Sequence, residues 1–238
     1  QLLTALKHLH DNGIYHGDIK PSNIMLTSFN WVLLTDFASF KPVKIPSNDT
    51  TIFNYFFHTP PNMGGGVKTC YLAPERFYDP AKTRHDHPSI ANATLTPAMD
   101  VFSLGCTITE LFLNGEPTVD LAGLMTYIQQ GGEEKIDDND DNSDDKIDNK
   151  MNLLKKLNKI EDASIRAACK HMLSLDPSKR RSAGDYLKRL EKPAESASTS
   201  TSASSLPVFP PSFKSFLFPL IKKLRFGVFA PDARIALA

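Results

Sequence analysis

Within nineteen residues, four side chains of complementary chemistry follow one another: Asp18, Lys20, Asn23 and Asp36. Three belong to His16-Gly17-Asp18-Ile19-Lys20-Pro21-Ser22-Asn23, and the fourth opens Asp36-Phe37-Ala38 at the end of an apolar run. A carboxylate can accept the proton of an attacking hydroxyl, and an ammonium two residues on can neutralise charge on a transferring phosphoryl group. A side-chain amide and a second carboxylate offer oxygens to Mg²⁺. Phosphoryl transfer asks little more of a protein, because positioning and charge stabilisation supply most of its catalysis. Asp18 is thus the candidate base and Lys20 its cationic partner, with Asn23 and Asp36 as candidate metal and nucleotide ligands. One acidic loop residue usually caps a turn; the argument here rests on the joint spacing.

Such a set must be held by elements on both sides. Leu2, Leu3, Leu6 and Leu9 fall at helical spacing, and Asn12-Gly13 supplies a C-cap. Strands are expected at Ile24 to Leu26 and Trp31 to Thr35, joined by a polar turn around Ser28 to Asn30. Residues 41–69, rich in Pro, Asn, Gly and Thr, read as a long loop that includes the glycine cluster Met63-Gly64-Gly65-Gly66-Val67-Lys68. Asp100 to Leu113 is apolar nearly all round, the pattern of a helix buried in a core, with Cys106 inside it. Helical patterns return at Met151 to Leu157, Ser164 to Leu175 and Ala183 to Leu190.

Formal charge is zero overall, but residues 133–150 hold nine acidic and three basic residues, leaving the remainder at +6. We expect this stretch, within a disordered acidic insertion at 131–150, to be solvated, since it cannot bury enough apolar surface to fold. The basic excess elsewhere is spread out, which argues against nucleic acid as a partner. The three cysteines are far apart and form no CxxC pair, so neither a disulfide framework nor a zinc site is expected. His85-Asp86-His87 reads as a polar loop facing water. No run of about 18 apolar residues is present to span a membrane.

The order of HxDxKPxN, Asp-Phe, Tyr71-Leu-Ala-Pro-Glu-Arg-Phe77 and Asp100-Val-Phe-Ser-Leu-Gly105 resembles the protein kinase family across residues 1–192. That resemblance implies a mainly α fold, a kinase C-lobe, with ATP and Mg²⁺ as cofactors. It also implies that Glu75 pairs with Arg180, and that Asp100 bonds backbone amides of the loop carrying Asp18. Lys20 favours the serine/threonine type. No glycine-rich loop, strand lysine or hinge precedes these motifs, so the N-lobe is expected to be absent. The start at Gln1 reads as a truncation, and the piece alone as a poor ATP binder. Three positions depart from the kinase pattern. Gly17 stands where kinases carry the arginine that grips a phosphorylated activation loop, so that route of switching looks abandoned. Ala38 replaces the glycine of Asp-Phe-Gly, stiffening the hinge, and Lys68 stands where a Thr or Ser is usual.

His-Gly-Asp together with Asp36-Phe-Ala-Ser-Phe40, Phe53-Asn-Tyr-Phe-Phe57 and Lys68-Thr-Cys-Tyr-Leu-Ala-Pro-Glu-Arg-Phe77 narrows the resemblance. These runs are similar to the regulatory, protein-kinase-like subunit of the class III phosphatidylinositol 3-kinase complex, the vacuolar protein sorting kinase family. The resemblance implies a cytoplasmic protein, peripheral on endosomal, vacuolar and autophagic membranes. Its implied partners are the lipid kinase catalytic subunit and a coiled-coil autophagy scaffold. A Ser-rich linker is expected at 193–207. Residues 208–238, with Phe213, Phe216, Leu217, Leu220, Ile221 and Leu224 in a helical stripe, are expected to begin a helical-repeat region. Two functional readings stay open: a scaffold that organises the lipid kinase, and an active serine/threonine kinase with its own protein substrates.

Overall fold

The computed structural model describes residues 1–57, 69–83, 87–131 and 153–191. The glycine cluster, His85 and Asp86, nearly all of the acidic run, the Ser-rich stretch and the stripe beyond residue 208 lie outside them.

The leucine spacing near the start produces α1 (Leu2–Asp11), which buries Leu3 and Leu6 and ends at Asn12. Gly13 follows at φ 69°, a left-handed conformation that glycine adopts without strain. A single 3-10 turn at Pro21–Asn23 leads into β1 (Ile24–Leu26), paired antiparallel with β2 (Val32–Leu34) in the register Ile24↔Leu34 and Leu26↔Val32. The turn between them closes through Asn30 at φ 63°.

Residues 41–69 do not form a continuous loop, as their composition suggested. They contain β3 (Ile45–Pro46) and the helix α2 (Thr50–Phe57). The Asp49 carboxylate caps α2 by accepting from the Thr51 amide, and Phe53 and Phe57 are buried. The Pro and Asn residues that suggested a loop flank this helix, and its aromatic face supplies the drive to fold. β3 pairs in parallel with β4 (Phe77–Tyr78), opposing Ile45 to Phe77 and Pro46 to Tyr78.

A short helix, α3 (Pro88–Ala91), precedes the central helix α4 (Pro97–Phe112). α5 (Leu121–Gln129), capped by Asp120, was not expected from the sequence. The last helices are α6 (Leu153–Asn158), α7 (Ala163–Met172) and α8 (Ala183–Glu191).

The all-round apolar pattern of α4 reflects two cores that meet on it. Met99, Phe102 and Cys106 join a cluster with Ile45, Phe53, Phe57, Leu72, Leu124 and Leu157. Val101 and Leu104 join a second with Leu3, Leu6, Ile19, Met172 and Tyr186. α4 and α7 approach so closely that a Cβ on Gly105 would lie 2.8 Å from Met172 Cβ. Ile19 is fully buried in the second core, between Asp18 and Lys20 in the chain. Its burial fixes the reactive loop to the helices.

Candidate active site

Asp18, Lys20 and Asn23 come together as the spacing anticipated, and all three are largely buried. Asp18 Oδ2 is the hub: Lys20 Nζ lies 3.1 Å away, and Asn23 Nδ2 donates to it at 3.1 Å. Asn23 Nδ2 also donates to the Asp18 carbonyl at 2.8 Å, closing the loop on itself. This leaves Asn23 Oδ1, whose hydrogen bond from Ser22 is a long 3.4 Å, as the amide oxygen available to a cation. Among the described residues no hydrogen bond reaches Asp18 Oδ1, so one carboxylate oxygen remains for an incoming hydroxyl.

Asp36 is placed beside this group by β2. The Thr35 amide donates to the Asn23 carbonyl at 2.9 Å, so residue 36 leaves the strand next to Asn23. Its carboxylate is exposed and joins no hydrogen bond or ion pair among the described residues. Its backbone is held at φ 61°, a region that costs an ordinary residue energy and recurs at functional sites. The strain sits on Asp36 itself; Ala38 is buried, and its amide donates to the His16 carbonyl at 2.8 Å. An amide oxygen and a free carboxylate are hard ligands that suit Mg²⁺. Mg²⁺ takes one or two protein carboxylates and completes its shell with phosphates and water.

The loop is held from below by Asp100 at the start of α4. Its Oδ2 accepts from the His16 amide at 2.8 Å and its Oδ1 from the Gly17 amide at 2.8 Å, while His10 Nε2 lies 3.1 Å from Oδ2. The resemblance implied this positioning role. His16 is fully buried: Nε2 faces the Thr35 carbonyl at 2.8 Å, and Nδ1 accepts from the Asp18 amide at 3.3 Å. Both bonds together require the neutral imidazole with its proton on Nε2. Burial lowers the His16 pKa, against the pull of Asp100 and the Thr35 carbonyl.

Two cations that the sequence reading left without a role complete the site. Lys41 Nζ lies 2.6 Å from Asp18 Oδ2 and 5.1 Å from the centre of the Phe57 ring. Arg76, immediately after Ala-Pro-Glu and fully buried, donates to three carbonyls: Gly17 at 2.6 Å, Pro42 at 2.8 Å and Val43 at 3.0 Å. The sequence marks Arg76 only as a charged residue beside Glu75 in Tyr71–Phe77, which does not reveal its partners. Lys41 offered no signal beyond its place five residues after Asp36. Gly17 sits at φ 77°, a left-handed backbone in which any other residue is strained, and a Cβ there would also push the Leu95 methyl Cδ1, 2.6 Å away, aside. Glu75 and Arg180 pair in two contacts, Oε1 to Nη1 at 2.7 Å and Oε2 to Nη2 at 2.9 Å, as the resemblance implied.

The family model described as protein kinase domain matches residues 1–190. The chain is 43% identical over 188 residues to the serine/threonine-protein kinase VPS15 of Arabidopsis thaliana, covering 79% of this chain and 11% of that protein. It is 41% identical over 190 residues to the serine/threonine-protein kinase VPS15 of Saccharomyces cerevisiae, again 79% of this chain and 11% of that protein. With the putative serine/threonine-protein kinase VPS15 of Komagataella pastoris the match is 35% over 225 residues, 94% of this chain and 14% of that protein. The chain thus spans roughly a tenth of the length of the curated relatives it matches. With the reactive loop, the Glu75–Arg180 tie and the matched span in agreement, this chain belongs to the protein kinase family, where its similarity is to the VPS15 serine/threonine kinases.

Proposed function

We propose that this chain is the catalytic-lobe portion of a regulatory, protein-kinase-like subunit of a class III phosphatidylinositol 3-kinase complex. In that role the full protein scaffolds the lipid kinase for endosomal and vacuolar sorting and autophagy. It works from the cytoplasm, on membrane surfaces, with the catalytic subunit and a coiled-coil scaffold as partners. The similarity to VPS15 kinases and the runs between His16 and Phe77 that resemble that family support it. Among the described residues no helix is long and apolar enough to cross a membrane.

Within that role we assign a retained, ATP-dependent serine/threonine site. Asp18 Oδ1 would take the proton of the acceptor hydroxyl, for which a heavy-atom approach of about 2.6–3.2 Å is needed. Lys20 and Lys41 place two ammonium groups beside Asp18, where negative charge on a transferring phosphoryl would be stabilised. Asn23 Oδ1 and the Asp36 carboxylate would hold Mg²⁺ against the nucleotide phosphates. The single observation that carries the assignment is the free Asp18 Oδ1, flanked by two cations on the opposite oxygen. A pure scaffold has no physical need for that arrangement, and it favours the second reading, an active kinase with its own substrates.

Phosphatidylinositol 3-phosphate output from complexes rebuilt with full-length protein separates the two, comparing wild type with Asp18→Asn while assembly is followed by size-exclusion chromatography. Unchanged output with intact assembly supports the scaffold reading. Collapsed output with intact assembly puts phosphotransfer first, and failed assembly of Asp18→Asn alone shows a structural role for the aspartate.

A further inference from the structure

Arg76 is among the largest side chains that the fold encloses completely, yet among the described residues it makes no close ion pair with a carboxylate. Burying a guanidinium is costly unless its donors are used. Here they are used on main-chain carbonyls from two separate segments. One is the reactive loop, at Gly17; the other is the stretch just past Asp36-Phe37-Ala38, at Pro42 and Val43. The guanidinium also lies 4.9 Å from the centre of the Phe57 ring, on the helix that ends the described part of that stretch. Burial pushes its pKa down to about 10, with Asp18 and Asp100 opposing, so it is cationic at neutral pH.

Neighbouring bonds strengthen the same seam. Lys44 Nζ donates to the Glu75 carbonyl at 2.5 Å, Ile45 and Pro46 pair with Phe77 and Tyr78, and the Ser47 amide donates to the Tyr78 carbonyl at 2.8 Å. Residues 42–47 are therefore sewn to residues 75–78, and Arg76 extends the seam to the reactive loop. No phosphate is needed in any of these bonds. Position 17 carries no side chain, and its φ of 77° would strain any residue that brought a guanidinium there.

We propose that Arg76 is a positioning residue that stands in, from the opposite side of the segment, for the guanidinium missing at position 17. Through backbone carbonyls it holds residues 42–43, and with them the paired stretch up to residue 47, to the reactive loop. That described part of the activation segment is thereby kept in place without phosphorylation. This deepens the proposed kinase reading, in which the chain from Asp36 to Glu75 is the activation segment, and rests on it.

The test is amide hydrogen exchange on the full-length protein in its complex, before and after treatment with a broad protein phosphatase, for wild type, Arg76→Lys and Arg76→Met. This readout needs neither lipid output nor phosphotransfer, so it can fail while the proposed function stands, and the reverse. Phosphatase treatment should leave wild-type protection at residues 16–18 and 42–47 unchanged. A rise in exchange there after dephosphorylation overturns the proposal, whatever the variants do. Arg76→Met should raise exchange at those residues by about tenfold or more while α1 and α8 stay within about twofold, because local opening is what the lost bonds resist. Arg76→Lys, which keeps the charge and can reach one carbonyl, should fall between. Wild-type protection in Arg76→Met, or an equal rise throughout the chain, overturns it. Should Arg76→Met fail to fold, Arg76→Lys and the phosphatase arm still decide.

Discussion

His16 couples the site to pH through one ring. Its Nδ1 accepts from the Asp18 amide and its Nε2–H donates to the Thr35 carbonyl, so a second proton has no acceptor on the Nδ1 side. Burial holds its folded pKa below the 6.5 of an ordinary histidine. Above about 6.5 both folded and unfolded chains carry the neutral ring; below it the unfolded chain takes up a proton that the folded chain resists. Stability is therefore full above that pH and falls as pH drops through it. His171, lowered by burial and then by Arg181 and Arg189, adds the same sign. We predict a lower urea midpoint at about pH 5.5 than at about pH 7.5, with a smaller difference in His16→Gln. An equal difference in the variant would assign the pH response elsewhere. The meeting of Asp18, Lys20 and Asn23 was legible because their spacing in the chain is short and their types are complementary. The roles of Lys41 and Arg76 were not, because the partner of Lys41 lies 23 residues away and those of Arg76 lie 33, 34 and 59 away and are carbonyls that every residue possesses.

Helices were legible where an apolar face runs without interruption, as in α1, α4 and α8. α2 was hidden because its eight residues are bordered by Pro46, Ser47 and Asn48 on one side and the glycine cluster on the other. Composition there outweighed the aromatic pattern of Phe53, Phe56 and Phe57. α5 was hidden for a different reason: its apolar residues face a core assembled from distant segments, and only Leu124 is fully buried. The packing of α4 on α7 carries the prediction at this scale. Alanine is the better helix former than glycine by about 1 kcal/mol, yet a Cβ at position 105 would press on Met172 Cβ at 2.8 Å. Overpacking of this kind costs about 1–3 kcal/mol. Gly105→Ala should therefore be destabilised on balance, by on the order of 1 kcal/mol, in urea unfolding. A stabilised variant would mean that the two helices separate freely.

Across the whole molecule, Arg180 joins parts that are far apart in the chain. It grips Glu75, and it also donates to the carbonyls of Ala98, Ser174 and Leu175, tying the activation segment to α4 and to the turn after α7. Its side chain is wholly buried while that of Glu75 keeps 18% exposure. Removing the carboxylate charge leaves a buried guanidinium uncompensated, which typically costs about 3–5 kcal/mol. Glu75→Gln should lose a large part of that, reduced because the amide oxygen can still accept one bond. Urea unfolding of the single variants and the pair, read as a double-mutant cycle, checks it; additive losses would show that the two side chains do not cooperate. This tie was legible from motif order, since Ala-Pro-Glu and the arginine of Asp176-Pro-Ser-Lys-Arg180 are both recognisable. The division of the interior into two cores meeting on α4 was not, because it depends on which helices α4 touches.

The burial of Cys70, Cys106 and Cys169 has a practical consequence. Burial pushes the Cys70 thiol up to about 12 and the Cys169 thiol up to about 11, and lifts that of Cys106 well above its usual value. Alkylating reagents attack the thiolate, so the folded chain presents them with almost nothing to modify. Each sulfur reacts only after its own neighbourhood opens. Cys70 belongs to the segment before Ala-Pro-Glu, Cys106 to α4 and Cys169 to α7, so the order in which iodoacetamide mass is gained would record the order in which these regions come apart.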